Sequence, residues 1–123
     1  MEHLSEKECK SAGMAVRDTL ETISGKWKLL LLLTFYKGGR RRFRELVKEL
    51  NISPRVLSKE LQELEMHKLV SRTVCDTRPV TVEYDITPYC KTLAPVISAM
   101  KEWGEQHRVE ILGKKNTSEN GGE

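Results

Sequence analysis

At 123 residues, 38% hydrophobic and 32% charged, the chain has room for one core and the composition of a helix-rich soluble domain. Its longest mainly apolar run, residues 29–36, falls short of the roughly 20 residues a membrane span needs, and the charged opening MEHLSEKECK lacks the apolar stretch of a secretory signal. Three widely spaced cysteines (Cys9, Cys75, Cys90) make neither a zinc pattern nor an even disulfide framework. The expected location is therefore a reducing cytoplasm, with no membrane partner, no metal and no cofactor. No nucleophile, phosphate-loop or dinucleotide signature is present, so the sequence gives no reason to expect an enzyme.

The net charge of +3 hides an uneven distribution. Residues 1–25 carry net −2, residues 26–59 net +8 and residues 60–123 net −3. A positive block inside an otherwise acidic chain is an electrostatic footprint for a polyanion, or else a solvated basic face. What the block is built on decides between the two.

In chain order, residues 1–11 are polar and expected as a flexible tail ahead of a single domain at 12–112. Val16, Leu20 and Ile23 recur with the helical period, and Ser24-Gly25 ends that helix. A second helix is predicted over 26–37. Its five consecutive leucines, 29–33, make it apolar all round and hence the central buried helix, with Trp27 as a core aromatic at its start. Gly38-Gly39 breaks the chain, and residues 40–43 read as a short extended stretch.

A third helix is predicted over 43–50, with Phe43, Leu46, Val47 and Leu50 on one side. Asn51 can adopt the left-handed conformation that closes it. Ser53 is then an N-cap, with Pro54 in the first turn of a fourth helix over 54–68 whose buried stripe is Leu57, Leu61 and Leu64. Two helices joined by so short a turn form a helix-turn-helix. Residues 70–75 and 80–86 alternate as strands around the hairpin tip 76–79. Thr87-Pro88 is read as the N-cap and first turn of a last helix, in which Leu93, Val96, Ile97, Met100 and Trp103 repeat the helical period. Residues 113–123 are expected to be a disordered tail. The order defines a mainly α domain with a small β-hairpin wing, a winged helix-turn-helix.

The basic block covers the triple arginine, the first helix of the motif and the start of the second. On the fourth helix, Arg55, Ser58, Lys59 and Gln62 share a polar face suited to base edges in the major groove of double-stranded DNA. Arg42 and Arg44 are placed to hold phosphates, Ser53 to cap the helix or donate to a phosphate, and Arg78 at the wing tip to reach a neighbouring phosphate or minor groove. Glu60 and Glu63 are expected to face elsewhere or to flank this face, where as anions they would repel phosphates and sharpen specificity. The competing reading is a winged-helix module whose basic face meets an acidic protein partner.

The segments V-R-D-T-L-E-T-I-S-G-K-W-K-L-L (16–30), R-R-F-R-E-L (41–46), I-S-P-R-V-L-S-K-E-L-Q-E-L-E (52–65), L-V-S-R-T-V (69–74), V-E-Y-D-I-T (82–87) and W-G-E-Q-H (103–107) together resemble the HxlR family of bacterial winged-helix, MarR-like transcriptional regulators. The resemblance implies a cytoplasmic homodimer on a pseudo-palindromic operator, built mainly from the first and last helices. On those helices Val16 and Leu20, with the stripe Leu93, Val96, Ile97, Met100 and Trp103, which is longer than the core can cover, are expected to serve dimerisation. The resemblance also implies a place for a sensor cysteine, which here holds Met14, a residue that forms no thiolate. Cys9 does not inherit that role, and Cys90 is read as a structural thiol. No separate ligand domain is present, so a small-molecule effector would act on the domain itself or at the dimer interface.

Overall fold

The computed structural model describes residues 3–113. They fall into two compact units, one ending at Thr87 and one starting at Pro88. The first holds α1 (Glu6–Ile23), α2 (Lys28–Gly38), β1 (Arg41–Arg42), α3 (Phe43–Leu50), α4 (Pro54–Met66), β2 (Val70–Cys75) and β3 (Thr81–Ile86). The second holds a 3₁₀ turn (Tyr89–Leu93) and α5 (Ala94–Leu112).

α1 starts eight residues before the predicted position at Met14. Ser5 Oγ accepts from the Glu8 N–H at 3.1 Å, and the Glu8 carboxylate accepts from the Ser5 N–H at 2.8 Å. This reciprocal capping box satisfies two N–H groups that a helix start otherwise leaves orphaned. Residues 6–11, expected within a flexible tail, are thus the first turns of a helix. Only Ile23 of α1 is buried, and Met14, Val16 and Leu20 are exposed.

α2 begins at Lys28, two residues later than predicted, and is not buried all round. Leu31, Leu32 and Phe35 are buried, whereas Leu30 and Leu33 are 42% and 46% exposed. Trp27 is half-buried at the helix start with Lys26 Nζ 4.8 Å above its ring, a partly wet cation–π contact rather than a core position. With α2, the core takes Leu46 from α3, Ile52 from the turn, Leu57, Leu61 and Leu64 from α4, and Leu69, Val70 and Tyr84 from the sheet. Each leucine so buried contributes about 1.5–3 kcal/mol of transfer free energy.

The turn between α3 and α4 is as predicted. Asn51 is left-handed at φ 52° and ψ 47°. Ser53 Oγ accepts from the Val56 N–H at 3.2 Å, and Pro54 opens α4. α4 ends at Met66 rather than at 68, and left-handed Lys68 (φ 64°) turns the chain into the wing.

The wing strands pair antiparallel from Val70↔Ile86 to Cys75↔Thr81. The extended stretch at 41–42 adds a third strand on the other side of β3, giving the order β1-β3-β2. Thr87, read as a helix cap, closes the hairpin base instead: its hydroxyl donates to the Lys68 carbonyl at 2.6 Å and its N–H to the Leu69 carbonyl at 3.1 Å.

In the second unit Cys90 is buried. The α-helix proper starts only at Ala94, with Pro95 in its first turn. No residue of α5 is buried: Val96, Met100 and Trp103 are exposed and Ile97 half-buried, as is Leu93 at the end of the 3₁₀ turn. Trp103 stacks on His107, ring centroids 4.7 Å apart. Of the tail expected at 113–123, Gly113 is the left-handed cap of α5 and residues 114–123 lie outside the described residues. No helix among the described residues is long and apolar enough to cross a membrane.

Candidate nucleic-acid interface

α4 presents two faces because its apolar residues recur every three or four positions. Leu57, Leu61 and Leu64 point into the core. Arg55, Lys59 and Gln62 are exposed and Ser58 is half-buried, so the four predicted residues share the outward side. Ser53 caps the same helix and is itself exposed.

The basic run ahead of α3 divides. Arg41 is turned inward. Its Nε donates to Glu49 at 2.8 Å and its Nη1 to the Gly39 carbonyl at 3.0 Å, and the Glu49 hydrogen bond raises its pKa. The guanidinium packs over Gly38, in the space a Cβ there would take. Arg40 and Arg42 straddle Glu83 at 3.1 and 3.9 Å, and hydrogen bonding to Arg40, before the Coulombic pull of both arginines, holds the Glu83 carboxyl below its ordinary value.

Arg44, Arg55 and Arg78 carry no ion pair among the described residues. An open groove of about 640 Å³ runs between the start of α3 and the wing. Arg42 and Arg44 line it from one side and Arg78 from the other, over a floor that includes Phe43 and Tyr84. The Arg78–Pro79 peptide at the wing tip is cis. Three of the predicted phosphate contacts are therefore brought together around one channel.

Of the two placements expected for Glu60 and Glu63, the structure shows carboxylates tied to α2 rather than free anions beside the DNA-facing side. Both bind Lys28 of α2, whose Nζ lies 2.7 Å from Glu60 and 2.5 Å from Glu63. Lys28 is only 6% exposed, so it is a buried counter-ion and not part of the outer positive surface. Burial alone would push its ammonium down; hydrogen bonds and charge from the two carboxylates outweigh that and leave it raised. Its partners lie 32 and 35 residues away, so no local pattern points to them.

The residues assigned to dimerisation occur in both units. Val16 and Leu20 are exposed on α1. Val96, Met100 and Trp103 line a shallow apolar concavity on α5 with Pro95 and Ala99. Exposed contiguous apolar surface of this kind marks an interaction site more often than a solvated face. Among the described residues, no three of His, Cys, Asp and Glu gather into a metal-holding group.

Helix-turn-helix, hairpin wing and a basic outer face on the second motif helix together define a winged helix-turn-helix protein of the regulator class. Residues 22–111 match the model of the HxlR-like helix-turn-helix family, and the chain belongs to that family of transcriptional regulators. It is 41% identical over 101 residues to the HTH-type transcriptional regulator YdeP of Bacillus subtilis, covering 80% of this chain and 77% of that one. Among solved structures it resembles the redox regulator HypR in its reduced form, with TM-score 0.72, 38% identity, and coverage of 81% of this chain and 99% of that one. It also resembles a MarR-family transcriptional regulator from Enterococcus faecalis, with TM-score 0.73, 30% identity, and coverage of 93% and 98%.

Proposed function

We propose that the chain acts as a homodimeric, sequence-specific DNA-binding regulator. α4 enters the major groove of a pseudo-palindromic operator, and the wing and the start of α3 hold the flanking backbone. The observation that carries this reading is the outward face of α4, where Arg55, Lys59 and Gln62 stand exposed opposite a fully buried leucine stripe. Arginine and glutamine are the side chains that contact guanine and adenine edges bidentately, and second motif helices dock with their N-terminal half against bases. Arg42, Arg44 and Arg78 supply phosphate contacts around the adjoining groove. The exposed apolar residues of α1 and α5 are the surface a second copy covers.

A salt titration tests the assignment, using the promoter region of the protein's own gene and a scrambled duplex with Arg55→Ala, Gln62→Ala, Arg42→Ala and Arg78→Ala. Loss of a base contact is expected to cost about 1–3 kcal/mol on the specific site and to relax preference at one base pair per half-site. Loss of a phosphate contact is expected to weaken both duplexes together and to lower the salt slope by about one unit. Four folded variants with unchanged binding and slope would overturn the reading and favour a protein partner for the basic face.

A further inference from the structure

We propose that Lys28 is a positioning residue for DNA recognition: from α2 it neutralises the acidic edge of α4 and so keeps Lys59 available to DNA. The inference rests on the reading of α4 as the DNA-reading helix. Glu60 and Glu63 are three positions apart and share one side of α4. Lys28 Nζ bridges them, bonding one oxygen of each. The other oxygen of Glu63 lies 3.3 Å from Lys59 Nζ, and the other oxygen of Glu60 lies 3.9 Å from it. Glu63 is thus shared between a buried ammonium and one whose side chain is 66% exposed on the outward face.

The four charges cancel. Without Lys28, two carboxylates remain with Lys59 as the one cation paired to them among the described residues. A carboxylate that loses its partner in a partly buried place is strongly destabilised and takes the nearest cation. Lys59, which already shares Glu63 with Lys28, would then have to neutralise both carboxylates alone, and the DNA-facing surface would lose one positive charge. Lys28 touches no DNA in this scheme; it acts through Glu63 on Lys59.

Salt titrations on a scrambled duplex, with thermal melts as the folding control, test this in Lys28→Met, Glu63→Gln, Lys59→Ala and the pairwise doubles. Lys28→Met is expected to lower the salt slope by about one unit, as for one lost phosphate contact. Adding Glu63→Gln is expected to restore it, because one carboxylate fewer releases Lys59. Adding Lys59→Ala to Lys28→Met is expected to change the slope no further, a non-additivity that lost packing alone does not produce. Should Lys28→Met fail to fold, Glu63→Gln alone decides: tighter binding to the scrambled duplex supports the proposal, and unchanged binding overturns it. A wild-type slope in folded Lys28→Met, or a further unit lost on adding Lys59→Ala, overturns it while leaving the DNA reading of α4 intact. If Lys59→Ala alone leaves the slope unchanged, this proposal and the assignment of Lys59 to DNA fall together.

Discussion

Arg41 and Arg44 stand three positions apart in one basic run and do different work. Arg41 is tied to Glu49 and packed over Gly38, so its charge is spent within the fold. Arg44 is exposed and lines the groove beside the wing. Arg41→Ala is therefore expected to lower stability by up to about 1 kcal/mol, the scale of a single surface-accessible pair, with the DNA salt slope unchanged. Arg44→Ala is expected to leave the melting temperature alone and lower the slope by about one unit. Melts and salt titrations of the two variants check both halves. The three cysteines allow a second comparison at this scale. Cys90 is buried, Cys75 half-buried and Cys9 exposed on α1, and the thioether of Met14 forms no thiolate. Mild diamide treatment is expected to leave DNA affinity within about twofold, since Cys90 is shielded and the accessible Cys9 is not among the residues assigned to DNA. Reversible loss of binding that disappears in Cys9→Ser or Cys90→Ser would overturn this.

Between elements, the junction of α2 and α4 is the most charged part of the interior. Hydrogen bonds from Lys28 and then Lys59 hold the Glu63 carboxyl below its ordinary value of 4.5. A carboxylate depressed by folding contributes stability that is full above that ordinary value and is lost as pH falls through the lower, folded one. Lys28 is raised from 10.5, so its contribution is full below 10.5 and is lost as pH rises through the higher, folded value. Wild type is therefore expected to melt above Glu63→Gln at pH 7, with the gap closing as pH falls below 4.5; melting curves across pH check the sign.

This junction also shows why part of the site was hidden in the sequence. Asn51, Ser53-Pro54 and the strand alternation are local signals, and the helix-turn-helix and wing follow from them. Arg42, Arg44, Arg55 and Arg78 were legible as exposed cations for the same reason. Lys28 is one of the cations of the basic block at 26–59, and nothing near it in the chain shows its carboxylates. The run of leucines in α2 has no polar contrast to tell Leu31 from Leu33. The polar composition of residues 1–11 reads as a tail, and only the structure shows the S-E-K-E spacing closed as a capping box.

For the whole molecule, the issue is what covers α1 and α5, which together bury a single residue, Ile23. In proteins most helical stability comes from packing an apolar face, and these two helices have little of it within the chain. The proposed two-fold partner provides that packing. Sedimentation at micromolar concentration is expected to give about 28 kDa, twice the chain mass of 14.1 kDa. The melting temperature is expected to rise with protein concentration, because association stabilises by mass action. A monomer with a concentration-independent melt would remove the dimer. The exposed stripe on α5 also bears on how much of this protein a cell can hold. If the proposed dimer forms, a chain without its partner presents helices with little packing, and segments of low local stability open to proteases first. Scarce chains would then be cleared faster than abundant ones, while the paired form would grow as the square of concentration as long as most chains are unpaired. Occupancy of the operator would switch over a narrow range of synthesis rate, a threshold set by helix packing with no effector required.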